Sequence, residues 1–313
     1  MINKLAISLS AVMALSTAYA QDINLGIIST ESTTNLKADW QPLIDDMSTK
    51  TGYNIKAFFA SDYAGVIEAM RFNKVQVAWF GNKSAMEAVD RAKGEIFAQM
   101  VNADGTEGYY SHMIVHKDSP VNNLDDLLKM SKNLTFSNGD PNSTSGFLVP
   151  SYYVFSKNKV DPKTMFKAVR AANHEANALA VANKQIDVAT NNSETLGRIK
   201  DRMPEKASNI KVIWTSPLIP SDPMVIRSDL DPAVKAKIKD FFYSYGSNDT
   251  EKATLMQLQK ITGFKVSSND QLKPIRQLEL FKARNKLEAD TTMSAADKTA
   301  KLADIDKQLA VLN

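Results

Sequence analysis

The feature that most constrains this chain is an alternation met twice. Short β-like runs take turns with amphipathic helical runs over residues 23–28, 36–50, 55–60, 63–72 and 75–80. The order recurs with a strand over 134–137, a helix after Ser143, a strand near 166–169, a helix over 174–183 and a strand over 186–190. Parallel strands need a long crossover, and a helix supplies it while covering the sheet. Two α/β lobes are therefore expected. An internal echo supports them: MRFNKVQVA (70–78) and AVANKQIDVA (180–189) each read as a helix end, an Asn-Lys turn and a strand ending in Val-Ala, with the spacing from Asn to Val-Ala differing by one residue. Both strands are expected to run into polar loops, 81–84 and 191–194, and open α/β sheets bind ligands beyond the carboxyl ends of their strands.

The β-branched run 112–116, followed by Lys117-Asp118-Ser119-Pro120, reads as the first crossing between lobes, and the proline-restricted segment 216–223 as the return. After Pro223 the chain is expected to rejoin the first lobe and finish in helices over 232–245, 251–261, 271–287 and 295–311. The resulting division is a leader over 1–20, the first part of lobe one over 21–115, lobe two over 116–220, the return to lobe one over 221–284, and a helical tail over 285–313. In the tail, Ala295, Leu302, Ile305, Leu309 and Leu312 form an apolar stripe among charges, with Lys298 intruding on it. A lone helix of this length is marginal in water, so the stripe must be buried against its own lobe or another copy.

Residues 1–20 combine an early Lys4, a short apolar stretch and small residues at Ala18 and Ala20, the pattern of a secretory signal peptide cleaved near Ala20-Gln21. With no cysteine there is neither a lipid-anchoring thiol nor a disulfide framework, which points to a free periplasmic protein. The whole chain has 38 Lys and Arg against 35 Asp and Glu, one of those lysines in the leader, so the remainder is close to neutral and suggests neither nucleic acid nor an anionic membrane as partner.

Reaction machinery is hard to find. Of three histidines, His112 and His116 flank Met-Ile-Val in a strand-like run, where four residues span roughly 13 Å, too far for one metal ion. His174 opens a helix and could activate Ser143 or Ser145, but no nucleophile elbow and no third group accompany it. No metal site and no glycine-rich nucleotide fingerprint is legible. The stretch GDPNSTSGFLVP (139–150) sets three adjacent hydroxyls, Ser143, Thr144 and Ser145, at a helix start. Such a stretch is either a plain helix cap or an oxyanion socket, since the first N–H groups of a helix lack partners and favour anions.

GDPNSTSGFLVP, together with GIISTES (26–32), DYAGVIEAMRFNK (62–74), SAMEAVDRA (84–92), ANALAVANKQIDVATNN (176–192) and SPLIPSDP (216–223), resembles the PhnD family of periplasmic phosphonate-binding proteins of ABC importers, in order along nearly the whole mature chain. The resemblance implies a two-lobed periplasmic binding protein fold of type II-like topology with a C-terminal helical extension, whose lobes close on a ligand. It implies no catalysis and no cofactor, an importer permease with its ATPase as partners, and homodimerisation through the C-terminal helices. The phosphonate is expected at Ser143, Thr144 and Ser145, with Tyr63, Tyr109 and His174 reaching it; Tyr110 departs from the tryptophan expected beside that tyrosine. Glu194 and Asp222 match positions that hold a ligand amino group. Taken alone, Glu194 reads as a helix first-turn acid and Asp222 as a turn residue. Two acids near an anion socket would repel the ligand unless it is a zwitterion. An aminoalkylphosphonate such as 2-aminoethylphosphonate fits that requirement. The alternatives are a binding protein of the same fold for phosphite, a phosphate ester or another small oxyanion, and a phosphoesterase using Ser143 and His174.

Overall fold

The computed structural model describes residues 21–312; the expected leader lies outside the described residues. The first half of lobe one runs β1 (Asp22–Ile27), α1 (Thr33–Thr51), β2 (Asn54–Phe59), α2 (Tyr63–Arg71), β3 (Val77–Trp79), α3 (Asn82–Arg91) and β4 (Gly94–Asn102). Ile23, Leu25 and Ile27 of β1 are completely buried, as a central strand requires. In α1 the apolar residues Leu36, Trp40, Leu43, Ile44 and Met47 fall three to four apart and face the sheet; Ser32 caps its start by accepting the Asn35 N–H at 3.2 Å, and Gly52 ends it at φ 68°.

After a short strand β5 (Gly108–Tyr109) the chain enters lobe two: β6 (Ser111–His116), α4 (Leu124–Met130), β7 (Thr135–Asn138), a wide-turned helical run through Thr144–Leu148 and Ser151–Ser156, α5 (Pro162–Met165), β8 (Ala168–Ala171), α6 (His174–Ala182), β9 (Val188–Asn192), α7 (Ser193–Arg202), α8 (Pro204–Ala207) and β10 (Ile210–Thr215). It returns through β11 (Ile219–Pro220) to β12 (Pro223–Arg227), α9 (Pro232–Ser244), α10 (Asp249–Gln259), β13 (Ile261–Val266), α11 (Lys273–Ala289) and α12 (Ala295–Leu312). Lobe one is a six-stranded sheet in the order β13-β4-β12-β3-β1-β2, and lobe two a five-stranded sheet in the order β10-β6-β9-β7-β8. Both crossings lie side by side, because β5 and β11 pair antiparallel between the lobes. A Cβ on Gly108 would fall 2.0 Å from the Ile219 carbonyl oxygen, so only glycine permits this ribbon.

The echo is sharper in structure than in sequence. Asn73 and Lys184 both take φ 57° just past a helix end, so the turn pairs Asn73 with Lys184 and not Asn with Asn. In that register Val77-Ala78 matches Val188-Ala189 with no offset. The same separation pairs the helix caps Ser32 with Ser143, Asp62 with Asn173 and Gly81 with Asn192, and the helical residues Tyr63 with His174. The two lobes are built on one plan.

Several expectations are corrected. The run 112–116 is not a crossing: β6 pairs with β9 and β10 inside the second sheet, so the boundary drawn between 115 and 116 belongs before Ser111. The stretches 191–194 and 81–84 are not loops but a strand end and helix starts. After Pro223 the chain supplies two strands as well as helices. The helix expected to reach Ile261 stops at Gln259, where Lys260 turns left-handed at φ 54°, and Ile261 begins β13. The apolar stripe of α12 packs on α11, with Leu309 buried and Lys298 Nζ donating to the Glu288 carbonyl at 3.2 Å, which explains the charge on that face.

Candidate functional site

The site forms where helix starts from both lobes converge. Ser143 caps the wide-turned run by accepting the Gly146 N–H at 3.0 Å. Gly139 and Gly146 make this possible: the Gly139 N–H bonds the Gly146 carbonyl at 2.9 Å, and a Cβ on Gly139 would come within 2.6 Å of the Gly146 Cα. A Cβ on Gly146 would lie 2.9 Å from both Ser143 Oγ and His174 Cε1, so the two glycines let turn, helix start and imidazole close together. Thr144 Oγ1 accepts the Lys83 N–H at 2.8 Å from the opposite lobe, and Ser145 Oγ accepts Asn192 Nδ2–H at 3.2 Å. Among the described residues nothing accepts the backbone N–H of Thr144 or Ser145.

A small, nearly filled cavity of about 10 Å³ lies at this point. Its wall contains every residue singled out from sequence: Tyr63, Tyr109, Ser143, Thr144, Ser145, His174, Glu194 and Asp222. It also contains Thr30, Trp79, Asn192 and Arg198, which sequence reasoning missed. Arg198 had a signal, since it sits four residues after Glu194 and therefore on the same face of α7. Four polar atoms of the wall are buried without a hydrogen bond: Thr30 Oγ1, Trp79 Nε1, His174 Nδ1 and Asp222 Oδ1. Buried polar groups are normally satisfied, so such a cluster marks a place where a polar ligand belongs.

Burial controls the electrostatics. It pushes the Glu194 carboxyl up to about 7 against the pull of Arg198; the residue is half-buried overall, but its carboxyl end is enclosed. Asp222 is raised well above the ordinary carboxylate range, first by burial and then by Glu194, while the Tyr109 hydroxyl and Trp79 indole beside it pull the other way. His174 is lowered to about 3 by burial and by Arg198, so it is neutral; its Nε2 lies 3.3 Å from Ser143 Oγ. No carboxylate orients its Nδ1, and Ser143 Oγ is engaged as a cap, which is poor geometry for a nucleophile and its base. Tyr63 and Tyr109 are raised well above 10 by burial and by the acids around them, so both remain hydroxyl donors.

Contacts across the cleft frame the cavity. Arg198 is clamped by Glu31 and by Gln259 at 2.6 Å, and Arg202 bonds Glu31 at 2.9 Å and Asp39 at 2.6 Å. Asp140 accepts the Tyr63 N–H at 3.1 Å at the start of α2. Glu175 accepts the Ser32 N–H at 2.7 Å and Asn35 Nδ2–H at 2.6 Å at the start of α1. The starts of α1 and α2 thus each meet a carboxylate from lobe two, and that of α3 meets the Thr144 hydroxyl.

Comparison with known proteins agrees with this picture. Residues 25–272 match the family described as ABC transporter, phosphonate, periplasmic substrate-binding protein. The chain is 56% identical over 299 residues to the phosphonates-binding periplasmic protein of Escherichia coli K12, covering 94% of this chain and 88% of that one. It is 30% identical over 234 residues, 72% of each chain, to the phosphate-import protein PhnD of Mycolicibacterium smegmatis. A solved binding-protein component of an ABC phosphonate transporter from Pseudomonas aeruginosa superposes with TM-score 0.92 at 56% identity, covering 94% of this chain and 97% of its own.

Proposed function

The chain belongs to the family of periplasmic substrate-binding proteins of phosphonate ABC transporters, and on that premise we propose that its ligand is an aminoalkylphosphonate, 2-aminoethylphosphonate foremost. A member of this family delivers cargo to a transporter and is not an enzyme. The observation that carries the ligand reading is the joining, in one closed cavity, of a donor-lined helix start with two buried acids, Glu194 and Asp222. The phosphonate sits on Ser143, Thr144 and Ser145 with Tyr63, Tyr109 and His174 around it, and the ammonium lies between the two acids. Without a cation, two buried carboxylates beside an oxyanion repel it and each other, which disfavours phosphite or a plain phosphate ester.

Calorimetric titration tests this directly. 2-Aminoethylphosphonate is expected to bind saturably without turnover, and ethylphosphonate, which lacks the amine, at least about a hundredfold more weakly. Equal affinity for the two, or tighter binding of phosphite, overturns the assignment.

Further parts of the reading are the leader cleaved near Ala20-Gln21 and the loaded protein docking on a permease driven by an ATPase. Homodimerisation through the C-terminal hairpin completes it. Leu302 and Ile305 stay half-buried in the single chain and Val311 is 84% exposed, so apolar surface is left on α12, although Leu309 is already covered by its own chain.

A further inference from the structure

The direction of the hydrogen bonds around the socket carries more than its residue types do. A hydroxyl has one proton to give and lone pairs to receive. Thr144 Oγ1 already receives the Lys83 N–H at 2.8 Å, and Ser145 Oγ receives Asn192 Nδ2–H at 3.2 Å. The orientation of the Asn192 amide is not free: its Oδ1 accepts the Thr195 N–H at 2.7 Å to cap α7, which leaves only Nδ2 to face Ser145. Neither hydroxyl donates to the protein, so both protons point to the cavity together with the unpartnered N–H groups of Thr144 and Ser145. Four donors converge, against one unfilled lone pair on each hydroxyl. The titratable groups facing this end are neutral His174, Glu194 and Arg198 from lobe two and Asp222 from lobe one, with Tyr63 and Tyr109 as further donors. Of these the two acids and the bare ring nitrogen of neutral His174 could accept a proton from the ligand; in the function proposed above the acids are occupied by its ammonium, and Ser143 Oγ, 3.3 Å from His174 Nε2, is placed to fill the histidine's lone pair.

We infer that the socket binds the phosphonate group in its fully ionised form in preference to the protonated one, and that Asn192 and the Lys83 backbone are positioning groups that set this polarity by holding the Ser145 and Thr144 protons toward the ligand. A P–OH group would set its proton among more donors than free acceptors, and it would forfeit one of the bonds the dianion accepts. Lys83 comes from lobe one, so the polarity of Thr144 is fixed only as the lobes meet.

The inference rests on the proposed ligand, and phosphorus NMR separates the two. A phosphoryl oxyanion takes up its second proton at about pH 6. The wild-type protein is titrated with 2-aminoethylphosphonate and, separately, with inorganic phosphate from pH 5.5 to 8.5. The bound resonance is expected to hold the dianion shift throughout while the free resonance titrates, with affinity falling about tenfold per pH step below the ligand's own value. In Asn192→Asp the helix cap survives, because aspartate caps as well as asparagine. Its carboxylate draws the Ser145 proton away, so the bound resonance is expected at the protonated shift at pH 6. A wild-type bound resonance that titrates with the free ligand, or an unchanged shift in Asn192→Asp, overturns the inference. If inorganic phosphate binds as the dianion and 2-aminoethylphosphonate does not bind, the polarity stands and the ligand reading falls; if neither binds, both fall.

Discussion

The buried acid Glu194 should make the choice between ligands depend on pH. In the closed cavity its carboxyl rises from 4.5 to about 7, chiefly through burial, so ionising it there costs about 3 kcal/mol more than in an open, hydrated cleft. The sign follows from which form is penalised. A ligand without an amine offers the charged carboxylate nothing, so closure on it is most favourable below about pH 4.5 and loses that contribution as pH rises, the loss being complete above about 7. An ammonium reverses the balance by pairing with the carboxylate, and closure on 2-aminoethylphosphonate keeps its strength over the same window. The ratio of the two dissociation constants should therefore widen by up to roughly two orders of magnitude between pH 5 and 8. Calorimetry with 2-aminoethylphosphonate and ethylphosphonate measures it, once each ligand's own ionisation, followed by phosphorus NMR, has been subtracted. Glu194→Gln has no such proton to lose and should flatten the ratio while weakening the amine-bearing ligand. A wild-type ratio that does not change with pH, or a Glu194→Gln ratio that changes as much as the wild type's, would refute the reasoning.

Three further outcomes are expected. Ser143→Ala with Thr144→Ala should weaken phosphonate binding at least about a hundredfold, since hydrogen bonds to a charged group are worth about 1.5–3 kcal/mol each; unchanged affinity would reduce the motif to a helix cap. Arg202→Gln lies outside the cavity but leaves Glu31 and Asp39 short of a partner across the cleft, so stopped-flow release of every phosphonate should quicken about tenfold with the order of preference unchanged. Light scattering at micromolar concentration should find the mature chain dimeric and a chain ending after Asp290, which lacks α12, monomeric; a monomeric full-length chain would end the dimer proposal.

Much of the architecture was legible because it rests on period and punctuation. The alternation in β1 to β3 and in β7 to β9 could be read from apolar spacing and from the turns after α2 and α6. The longer strands that escaped notice, β4, β10, β12 and β13, are those whose pairing is antiparallel or distant in sequence: β13 is six residues that follow a helix directly, and only its bonding to β4 makes it a strand. Of the candidate site, the hydroxyl run could be read as either a cap or an anion socket, and the two acids, which alone read as a first-turn and a turn residue, drew notice through the family resemblance. Arg198 and Trp79 were not, because an arginine on a helix and an aromatic at a strand end usually serve packing or solvent, and what makes them part of the wall is the approach of the other lobe. The same holds for the backbone of Lys83. Its side chain pairs with Glu87 and Glu279, and only its N–H, which no residue type reveals, reaches Thr144.

The shared plan of the lobes has one more consequence. Ser32-Thr33-Thr34 occupies in lobe one the place that Ser143-Thr144-Ser145 occupies in lobe two, and its helix start is engaged by the Glu175 carboxylate. One lobe thus docks a carboxylate on the twin of the helix start where the phosphonate is proposed to sit. A tethered group competes at high local concentration but can still be displaced. Glu175 reaches that helix start only when the lobes meet, so the closed form is held in part by an anion that the protein itself supplies.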